Sequence, residues 1–397
     1  MPAFTFEEAR RCVLETVRNA RAVPPAEIVT LEAAAGRVLA ESIAADRDYP
    51  ALARSVRDGY AVRAVDLPGE FEVIGEVRAG DIFSGAVGAH QAVEIMTGAP
   101  VPRGADAVVM LEYVRRDGAR VIVDQTAPAG QFINPQASEA RAGETLLQPG
   151  KRLDFTGIAM LAAAGRERVP VYAAPRVAIV ATGDEIVPVS ETPRDFQIRN
   201  SNVYSLAAQV THAGGVPEIL PVARDEMAHT RELIGRGLAA DLLLLSGGVS
   251  AGKYDIVERV LGDLGAEFFF DRVLIQPGQP LVFGKARGKF FFGLPGNPSS
   301  TMVTFEIFAR AAVELLGGQE DIALHLPFAR LTEDFHHRVG LTRFLPAHLS
   351  PDGAAVTPIA WRGSSDVPAL TRANAFMVVD ADRPGWQAGE WIRVLLK

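Results

Sequence analysis

The segment between Leu242 and Asp255 constrains the fold more than any other part of this sequence. It places four leucines directly before a serine and two adjacent glycines. A run of this kind predicts a fully buried strand, and paired glycines allow the backbone to turn sharply and approach a ligand closely. The sequence Asp255-Ile-Val-Glu258 then predicts the capping box of an amphipathic helix. A strand that enters a helix through such a turn indicates an α/β domain with an anion site at the helix N-terminus.

Predicted strands and helices alternate over residues 174–325. The strands are predicted at 177–181, 218–222, 242–245, 267–270 and 290–293, and the helices at 203–213, 227–237, 256–264 and 300–316. Such alternation predicts a mainly parallel, doubly wound sheet with helices on both faces. In open sheets of this type, ligands bind outside the carboxyl ends of the strands.

The rest of the chain predicts further domains, which differ in their content of helices and strands. Thr5 is the predicted cap of a helix that runs to about Ala20, a short helix is predicted over residues 31–40, and Asp154 caps another over residues 153–165. Short alternating strands are predicted in the insert and near the C-terminus. The predicted architecture is a multi-domain α/β and β protein, with an elongated N-terminal domain (1–45 plus 137–173), a β-rich insert domain (46–136), a central α/β domain (174–325) and a C-terminal β-barrel-like domain (326–397).

The composition excludes several classes of function. A formal net charge of −8 argues against nucleic-acid binding, which requires basic surfaces. Cys12 is the single cysteine, so an intramolecular disulfide and a cysteine-based metal site are excluded, and we interpret it as a small core residue. Neither a signal peptide nor an apolar run of membrane-spanning length is evident, so we expect a cytoplasmic protein without a membrane partner.

Polar residues follow four of the predicted strands. Glu185 and Asp225 follow two of them, and Asp255 follows the glycine turn. Taken singly, Asp225 and Asp255 are typical of helix N-caps and Glu185 of a solvated loop. Three carboxylates at one sheet edge beside an anion site favour Mg²⁺, which prefers carboxylate, phosphate and water oxygens. The fourth strand end, residues 294–299, reads Leu-Pro-Gly-Asn-Pro-Ser and also predicts a ligand-facing loop.

The β-rich insert contains two further candidate segments. The sequence Arg57-Asp58-Gly59-Tyr60 predicts a tight Asp-Gly turn, with Tyr60 packed inward. Residues 97–106 predict a rigid loop that offers the hydroxyl of Thr97 and free amides. Neither segment alone reveals its chemistry.

Five motifs taken in order resemble the molybdopterin molybdenumtransferase family, which includes MoeA and the E domain of gephyrin. They are Asp58-Gly-Tyr-Ala, Met96-Thr-Gly-Ala-Pro-Val-Pro, Thr182-Gly-Asp-Glu, Ser246-Gly-Gly-Val-Ser and Gly293-Leu-Pro-Gly-Asn-Pro. The glycine turn alone is a weak signal, because pterin adenylyltransferases have similar turns. The order of all five motifs is specific, and the resemblance covers almost the whole chain.

The resemblance implies a four-domain homodimer with its active site between the α/β domain of one subunit and the β-rich insert of the other. The implied enzyme is a Mg²⁺-dependent molybdenum insertase that uses molybdate and adenylylated molybdopterin and releases AMP. Pterin adenylyltransferases and molybdoenzyme maturation proteins are the implied candidate partners. The implied catalytic residues are Asp58, Thr97, Glu185, Asp225 and Asp255, of which the last three would bind Mg²⁺. The implied molybdopterin-binding residues are Ser246, Gly247, Gly248, Ser250, Gln276, Gln279, Pro295, Gly296, Asn297, Pro298 and Ser364.

The chain departs from the family pattern mainly in its positive charges. Gln276 and Gln279 stand where family members commonly have lysines, and Leu341 stands where an arginine is frequent. Asn134-Pro-Gln-Ala-Ser-Glu139 replaces a stretch that is usually rich in arginine. We hypothesise that Arg57 restores part of the missing charge; a plain surface position is an equal alternative. Lys253 and Lys285 are further candidates, for which surface exposure is the favoured interpretation.

Two other functions are consistent with these observations. One is a catalytically impaired paralogue that binds molybdopterin as a carrier or scaffold, which the two glutamines favour. The other is a pterin adenylyltransferase, which would consume ATP but would need neither the insert nor the four-part organisation. The sequence does not distinguish molybdate from tungstate as the anion.

Overall fold

The computed structural model describes residues 2–248 and 256–397, which form two compact units. The first unit comprises residues 2–40, 150–153, 170–248 and 256–397. The second unit comprises Glu41–Pro149 and Asp154–Val169. This division is coarser than the four predicted domains, whose boundaries stay a prediction.

The centre of the first unit is a six-stranded sheet. In spatial order its strands are Val216–Ile219, Arg176–Ala181, Leu242–Ser246, Lys289–Leu294, Val282–Ala286 and Glu267–Phe270. The first four strands are parallel to one another, and Val282–Ala286 is antiparallel to both of its neighbours. The mainly parallel sheet is therefore confirmed, although the sequence analysis did not predict the strand Val282–Ala286.

Helices cover both faces of this sheet. They are Asn202–His212, Met227–Gly237, Ile256–Asp263 and a long helix over Pro298–Leu316 that includes a π-helical turn at Phe305–Ala309. Leu242 and Leu244 belong to one hydrophobic cluster, whereas Leu243 and Leu245 belong to the other. Because neighbouring side chains of a strand point to opposite faces, a strand buried on both faces needs an unbroken apolar run. The doubly wound α/β fold is confirmed.

Two of the predicted helix caps are present. In the first unit, the Thr5 hydroxyl accepts from the Glu8 amide and the Glu8 carboxylate accepts from the Thr5 amide, which starts the helix Phe6–Ala20. In the second unit, the Asp154 carboxylate accepts from the Gly157 amide at 2.8 Å and starts the helix Phe155–Ala163. Cys12 is half-buried and packs against the core of the first unit.

The predicted helix over residues 31–40 was wrong. Only Glu32–Ala34 forms a short 3₁₀ turn. Beyond it, the Gly36 amide donates to the Leu153 carbonyl, and the Leu39 amide donates to the Lys151 carbonyl. Long-range backbone pairing thus satisfies the groups that a helix would have paired locally.

The C-terminal part of the first unit is a closed five-stranded β-barrel. Around the barrel its strands are Thr342–Leu349, Ala355–Pro358, Phe328–Leu331, Trp391–Leu396 and Ala375–Val379, which pairs back to the first. Buried Met377, Trp386 and Ile392 fill part of its interior. The helix Val367–Arg372 lies between two of the strands in sequence. The predicted C-terminal barrel is confirmed.

The second unit is built on a six-stranded sheet. Its strands in spatial order are Ala107–Met110, Gly59–Val62, Gln91–Ile95, Gly69–Val77, Arg120–Val123 and Val114–Asp117. Tyr60 is buried, as predicted, but Gly59 begins a strand instead of completing an Asp-Gly turn. A side chain at Gly59 would overlap the carbonyl oxygen of Val109 on the neighbouring strand. Glycine is required here by the close approach of two backbones.

Shorter elements complete both units. They are the strands Ala26–Thr30, Ile43–Ala44, Arg54–Ser55, Ile133–Asn134, Thr145–Leu147, Arg168–Tyr172, Ile186–Val187, Ile198–Arg199, Ile275–Gln276, Phe335–His336 and Gly385–Trp386, and the 3₁₀ turns Ala64–Asp66 and Leu111–Tyr113. Within residues 2–248 and 256–397, no helix is both long and apolar enough to cross a bilayer.

Candidate functional site

The first unit contains a cleft of about 720 Å³ at the carboxyl ends of the parallel strands. Residues that follow the strands Arg176–Ala181, Leu242–Ser246 and Lys289–Leu294 form one side, and Leu341, Trp361 and residues 363–364 contribute another. This volume is in the range of small-molecule and cofactor sites. The predicted binding residues that line the cleft are Ser246, Gly247, Gly248, Gln276, Gln279, Pro295, Gly296, Asn297, Pro298 and Ser364.

The glycine turn, Gly247 and Gly248, places main-chain atoms at the floor of the cleft. Gly247 and Gly248 have φ angles of 90° and 64°, which residues other than glycine rarely adopt. A Cβ on Gly248 would lie 2.6 Å from Thr182 Oγ1 and 2.8 Å from a methyl group of Val257. Gly247 donates its amide to the Leu294 carbonyl at 3.1 Å, which joins two neighbouring strand ends. The turn therefore requires glycine, because of its positive φ angles and because a side chain at Gly248 would overlap Thr182 and Val257.

Asn202 connects the strand-end loops that form this floor. Its Nδ2 atom donates to Ser246 Oγ at 2.9 Å and to the Gly296 carbonyl at 2.8 Å. Asn202 was not among the predicted site residues. The signal was its position at the start of the helix Asn202–His212, since polar residues at such positions face the ligand side of an α/β sheet.

Ser364 reaches the cleft from the barrel part of the first unit, as the family resemblance implied. Asn297 donates its side-chain amide to Ser364 Oγ at 2.7 Å, and the Ser299 amide donates to the Ser364 carbonyl at 2.9 Å. Gln276 is aligned with Arg343 of the barrel through a parallel strand pair. Backbone pairing and side-chain hydrogen bonds together position residues that are far apart in sequence.

Three buried polar atoms of cleft residues lack a hydrogen-bond partner within the described parts of the chain. They are Thr182 Oγ1, Asn202 Oδ1 and Trp361 Nε1. Buried polar groups are normally hydrogen-bonded, so an unsatisfied group indicates a missing partner such as a ligand or water. Donors and acceptors are both represented, which fits a polar ligand.

Of the two predicted metal ligands among the described residues, Glu185 lines the cleft. Its carboxylate lies against Gly183, where a side chain would overlap it, and it accepts no hydrogen bond from the described residues. Asp225 is exposed and does not line the cleft, but its amide donates to Asp184 Oδ1 at 3.3 Å, next to Glu185. The N-cap position of the next helix is Glu226, without a side-chain capping bond, so the N-cap interpretation of Asp225 was wrong.

The remaining predicted residues of this turn, Ser250 and Asp255, lie outside the described residues, as does Lys253. Among residues 2–248 and 256–397, no group of three histidine, cysteine or acidic side chains is arranged to hold a metal. The three-carboxylate Mg²⁺ site therefore stays a prediction. The residues present fit the ion, because Mg²⁺ usually binds through one or two carboxylates together with waters and substrate phosphates.

Positive charge in the cleft comes from an arginine that the sequence analysis missed. Arg199 lines the cleft. Lys285 does not: its strand is antiparallel to Lys289–Leu294 and pairs it with Phe290, at the opposite end of the sheet from the cleft. Lys285 is therefore excluded as a source of positive charge in the cleft. Arg57 lies in the second unit, exposed and close to the ring of Phe132, and its role in the site stays a prediction.

Asp58 and Thr97 form a pair on the second unit. Asp58 Oδ1 accepts from the Thr97 amide at 2.6 Å and from the Thr97 hydroxyl at 2.8 Å. These bonds, the amide first and the hydroxyl second, lower the pKa of the Asp58 carboxyl. Because the pKa is lower in the folded protein, the pair stabilises the fold above the ordinary aspartate pKa, and this contribution is lost as pH falls through the folded value.

We expect Thr97→Val to raise the pKa of Asp58 part of the way toward its ordinary value. Valine removes the hydroxyl donor but keeps the amide, which is the larger cause of the shift. Carboxyl ¹³C NMR of aspartate-labelled protein measures the titration directly. Thr126→Val, an exposed threonine of the same unit, is the matched control. An Asp58 titration identical in both variants would contradict the hydrogen-bond assignment.

Comparison with known proteins gives consistent matches along the chain. Residues 4–165 match the family model "MoeA N-terminal region (domain I and II)", residues 178–315 match "Probable molybdopterin binding domain", and residues 329–397 match "MoeA C-terminal region (domain IV)".

Curated relatives and solved structures agree with these matches. The molybdopterin molybdenumtransferase of Staphylococcus aureus strain Mu50 is 33% identical over 96% of this chain and 94% of that protein. That of Bacillus subtilis strain 168 is 36% identical over 93% of this chain and 89% of that protein. The crystal structure of the molybdopterin biosynthesis moeA protein from Pyrococcus horikoshii OT3 superposes with a TM-score of 0.82, at 27% identity and complete coverage of both chains.

Proposed function

Because this chain belongs to the molybdopterin molybdenumtransferase family, we propose that it is a transferase of molybdenum cofactor biosynthesis. It inserts molybdenum from molybdate into adenylylated molybdopterin and releases AMP. The observation that carries this proposal is the cleft that combines the glycine turn, Glu185 and the Ser364 loop. Neither the carrier nor the adenylyltransferase alternative is favoured. The relatives match this chain over 89–94% of their own length and are named molybdopterin molybdenumtransferases.

The side chains of the cleft suit binding and orientation better than covalent catalysis. Backbone close to Gly247 and Gly248 is open to a phosphoryl group, and Ser246, Asn297 and Ser364 offer hydroxyl and amide groups. The described lining contains no cysteine, histidine or lysine that could serve as a nucleophile or proton carrier. Positioning and electrostatic stabilisation are therefore the main catalytic contributions of these residues.

We propose Glu185, Asp225 and Asp255 as the Mg²⁺ ligands. When bound, Mg²⁺ would stabilise the negative charge that develops as the phosphate–phosphate linkage to AMP breaks. Glu185 supports this assignment because its carboxylate is in the cleft and free of hydrogen-bond donors among the described residues. Asp225 supports it through its contact with the loop that carries Glu185.

Asp58 and Thr97 are proposed to act from the second subunit of a homodimer. Within residues 2–248 and 256–397, the side-chain hydrogen bonds of Asp58 fall on Oδ1, and Asp58 is exposed. Sedimentation equilibrium tests the dimer, and a monomer at working concentration would contradict it. A cytoplasmic location, with pterin adenylyltransferases and molybdoenzyme maturation proteins as neighbours in the same biosynthesis, follows from this function and is checked by cell fractionation and pull-down.

The deciding experiment measures AMP release from adenylylated molybdopterin. We expect release that requires both Mg²⁺ and molybdate. Binding of the substrate without turnover would favour the carrier, and consumption of ATP would favour the adenylyltransferase. Parallel reactions with tungstate identify the preferred anion.

The same assay tests the two neutral amides of the cleft. We expect Gln276→Lys/Gln279→Lys to lower the KM for the anionic substrates by about tenfold or more, because one charged hydrogen bond contributes about 1.5–3 kcal/mol. Gln148→Lys/Gln387→Lys adds the same charge at exposed positions outside the cleft lining and is the control. A KM unchanged from wild type in the first double variant would show that these amides do not limit substrate binding.

A further inference from the structure

We propose that Arg199 binds a tetrahedral oxyanion of the substrates in the cleft, either a phosphoryl group or molybdate. This inference rests on the proposed function and adds a binding residue to it. Among the described residues that line the cleft, Arg199 is the one basic side chain and Glu185 the one acidic side chain. Their charges cancel, so the described lining offers an anion no net attraction except close to Arg199.

The backbone of Arg199 is fixed by a strand pair at the edge of the cleft. Ile198–Arg199 pairs in parallel with Ile186–Val187, so that Val187 is aligned with Arg199. The Ile198 amide donates to the Glu185 carbonyl at 2.9 Å, and the Asn200 amide donates to the Val187 carbonyl at 2.9 Å. Arg199 therefore lies on a strand whose partner, Ile186–Val187, directly follows Glu185.

The side chain of Arg199 is fixed on one side only. Its Nε atom donates to the Glu191 carbonyl at 2.9 Å. No carboxylate of residues 2–248 or 256–397 forms an ion pair with it, and its two Nη atoms donate no hydrogen bond to these residues. A guanidinium oriented through Nε presents its Nη groups as a planar fork, which matches two oxygens of a phosphate or similar oxyanion.

The rest of the cleft contains no comparable group among the described residues. Gln276 and Gln279 are neutral, and Leu341 and Trp361 carry no charge. Because Glu185 and Arg199 both line the cleft, Glu185 would hold the Mg²⁺ ion while Arg199 would bind an oxyanion of the substrate in the same cleft. We infer that Arg199 supplies the charge-assisted hydrogen bonds that orient this anion.

Isothermal titration of the full-length protein with pyrophosphate in the presence of Mg²⁺, and separately with molybdate, tests the inference. Arg199→Ala is expected to weaken the affinity for at least one of these anions about tenfold or more, since charge-assisted bonds are the strong ones. Arg199→Lys keeps the charge but not the fork and is expected to bind with intermediate affinity. Arg194→Ala removes an exposed arginine of the same loop that does not line the cleft, and is the matched control.

The pattern of losses identifies the group that Arg199 binds. A loss confined to pyrophosphate assigns Arg199 to a phosphoryl group, and a loss confined to molybdate assigns it to the metal oxyanion. Equal affinities for both anions in wild type, Arg199→Ala and Arg194→Ala would overturn the inference. Failure of the wild type to release AMP would overturn the proposed function instead, because anion binding is measured without turnover. Circular dichroism confirms that each variant is folded, and Arg199→Lys repeats the test if the alanine variant is not.

Discussion

Glu185→Gln is expected to lower Mg²⁺-dependent AMP release by about 100-fold or more. Glutamine keeps the size of the side chain but removes the negative charge that a divalent cation requires. Among the described residues that line the cleft, Glu185 is the single acidic side chain. No other carboxylate of that lining can therefore replace it. Initial rates measured over a range of Mg²⁺ concentrations should show a lower maximum and a higher Mg²⁺ requirement.

Glu191→Gln is the matched control for this variant. Glu191 is an exposed acid a few residues further along the same loop and does not line the cleft. Its substitution should leave both the rate and the Mg²⁺ dependence unchanged. Wild-type rates and Mg²⁺ dependence in Glu185→Gln would contradict the assignment of Glu185 to the metal.

Mixed dimers extend this experiment to the proposed subunit arrangement. Glu185→Gln and Asp58→Asn should each inactivate the homodimer if both residues serve one site. If each site takes Glu185 from one subunit and Asp58 from the other, a mixed dimer contains one intact site and regains activity. Absence of any recovery on subunit exchange would contradict a shared site.

Gly59→Ala is expected to destabilise the second unit by about 3 kcal/mol or more. The new methyl group would overlap the carbonyl oxygen of Val109, and Gly59 is paired with strands on both sides in the middle of the sheet. Overpacking typically costs about 1–3 kcal/mol, and more where a backbone atom must move. Scanning calorimetry should show a lowered transition temperature for the second unit.

The control for this substitution is Gly235→Ala. Gly235 lies in the helix Met227–Gly237, and a side chain there would meet no atom within 4 Å. Alanine is the better helix former by about 1 kcal/mol, so stability should be unchanged or slightly increased. A Gly59→Ala protein as stable as wild type would show that the two strands can separate at little cost.

Much of the fold could be predicted because the signals were local. The Thr5–Glu8 capping box, the Asp154 cap and the leucines of residues 242–245 specify their structures through hydrogen bonds and side-chain periodicity within a few residues. The short 3₁₀ turn at Glu32–Ala34 shows the limit of such reasoning. There, pairing with Lys151 and Leu153 overrode the local helical pattern.

The candidate site was predictable where its residues follow strands directly. Ser246, Gly247 and Asn297 lie in the cleft because the carboxyl ends of parallel strands meet at one edge of a sheet. Asn202 and Arg199 were missed because their roles depend on loops that fold back over that edge. No pattern near either residue shows which carbonyl or hydroxyl it will meet.

By itself, the sequence determined the helix caps, the buried strands, the glycine turn and the order of family motifs, since each depends on chemistry within a short stretch of chain. Only the tertiary structure decided which charges reach the cleft. The antiparallel strand Val282–Ala286 directs Lys285 away from it, and the strand pair at Ile198–Arg199 brings Arg199 into it. Strand direction and loop pairing are set by packing over the whole sheet, and therefore cannot be derived from any one segment.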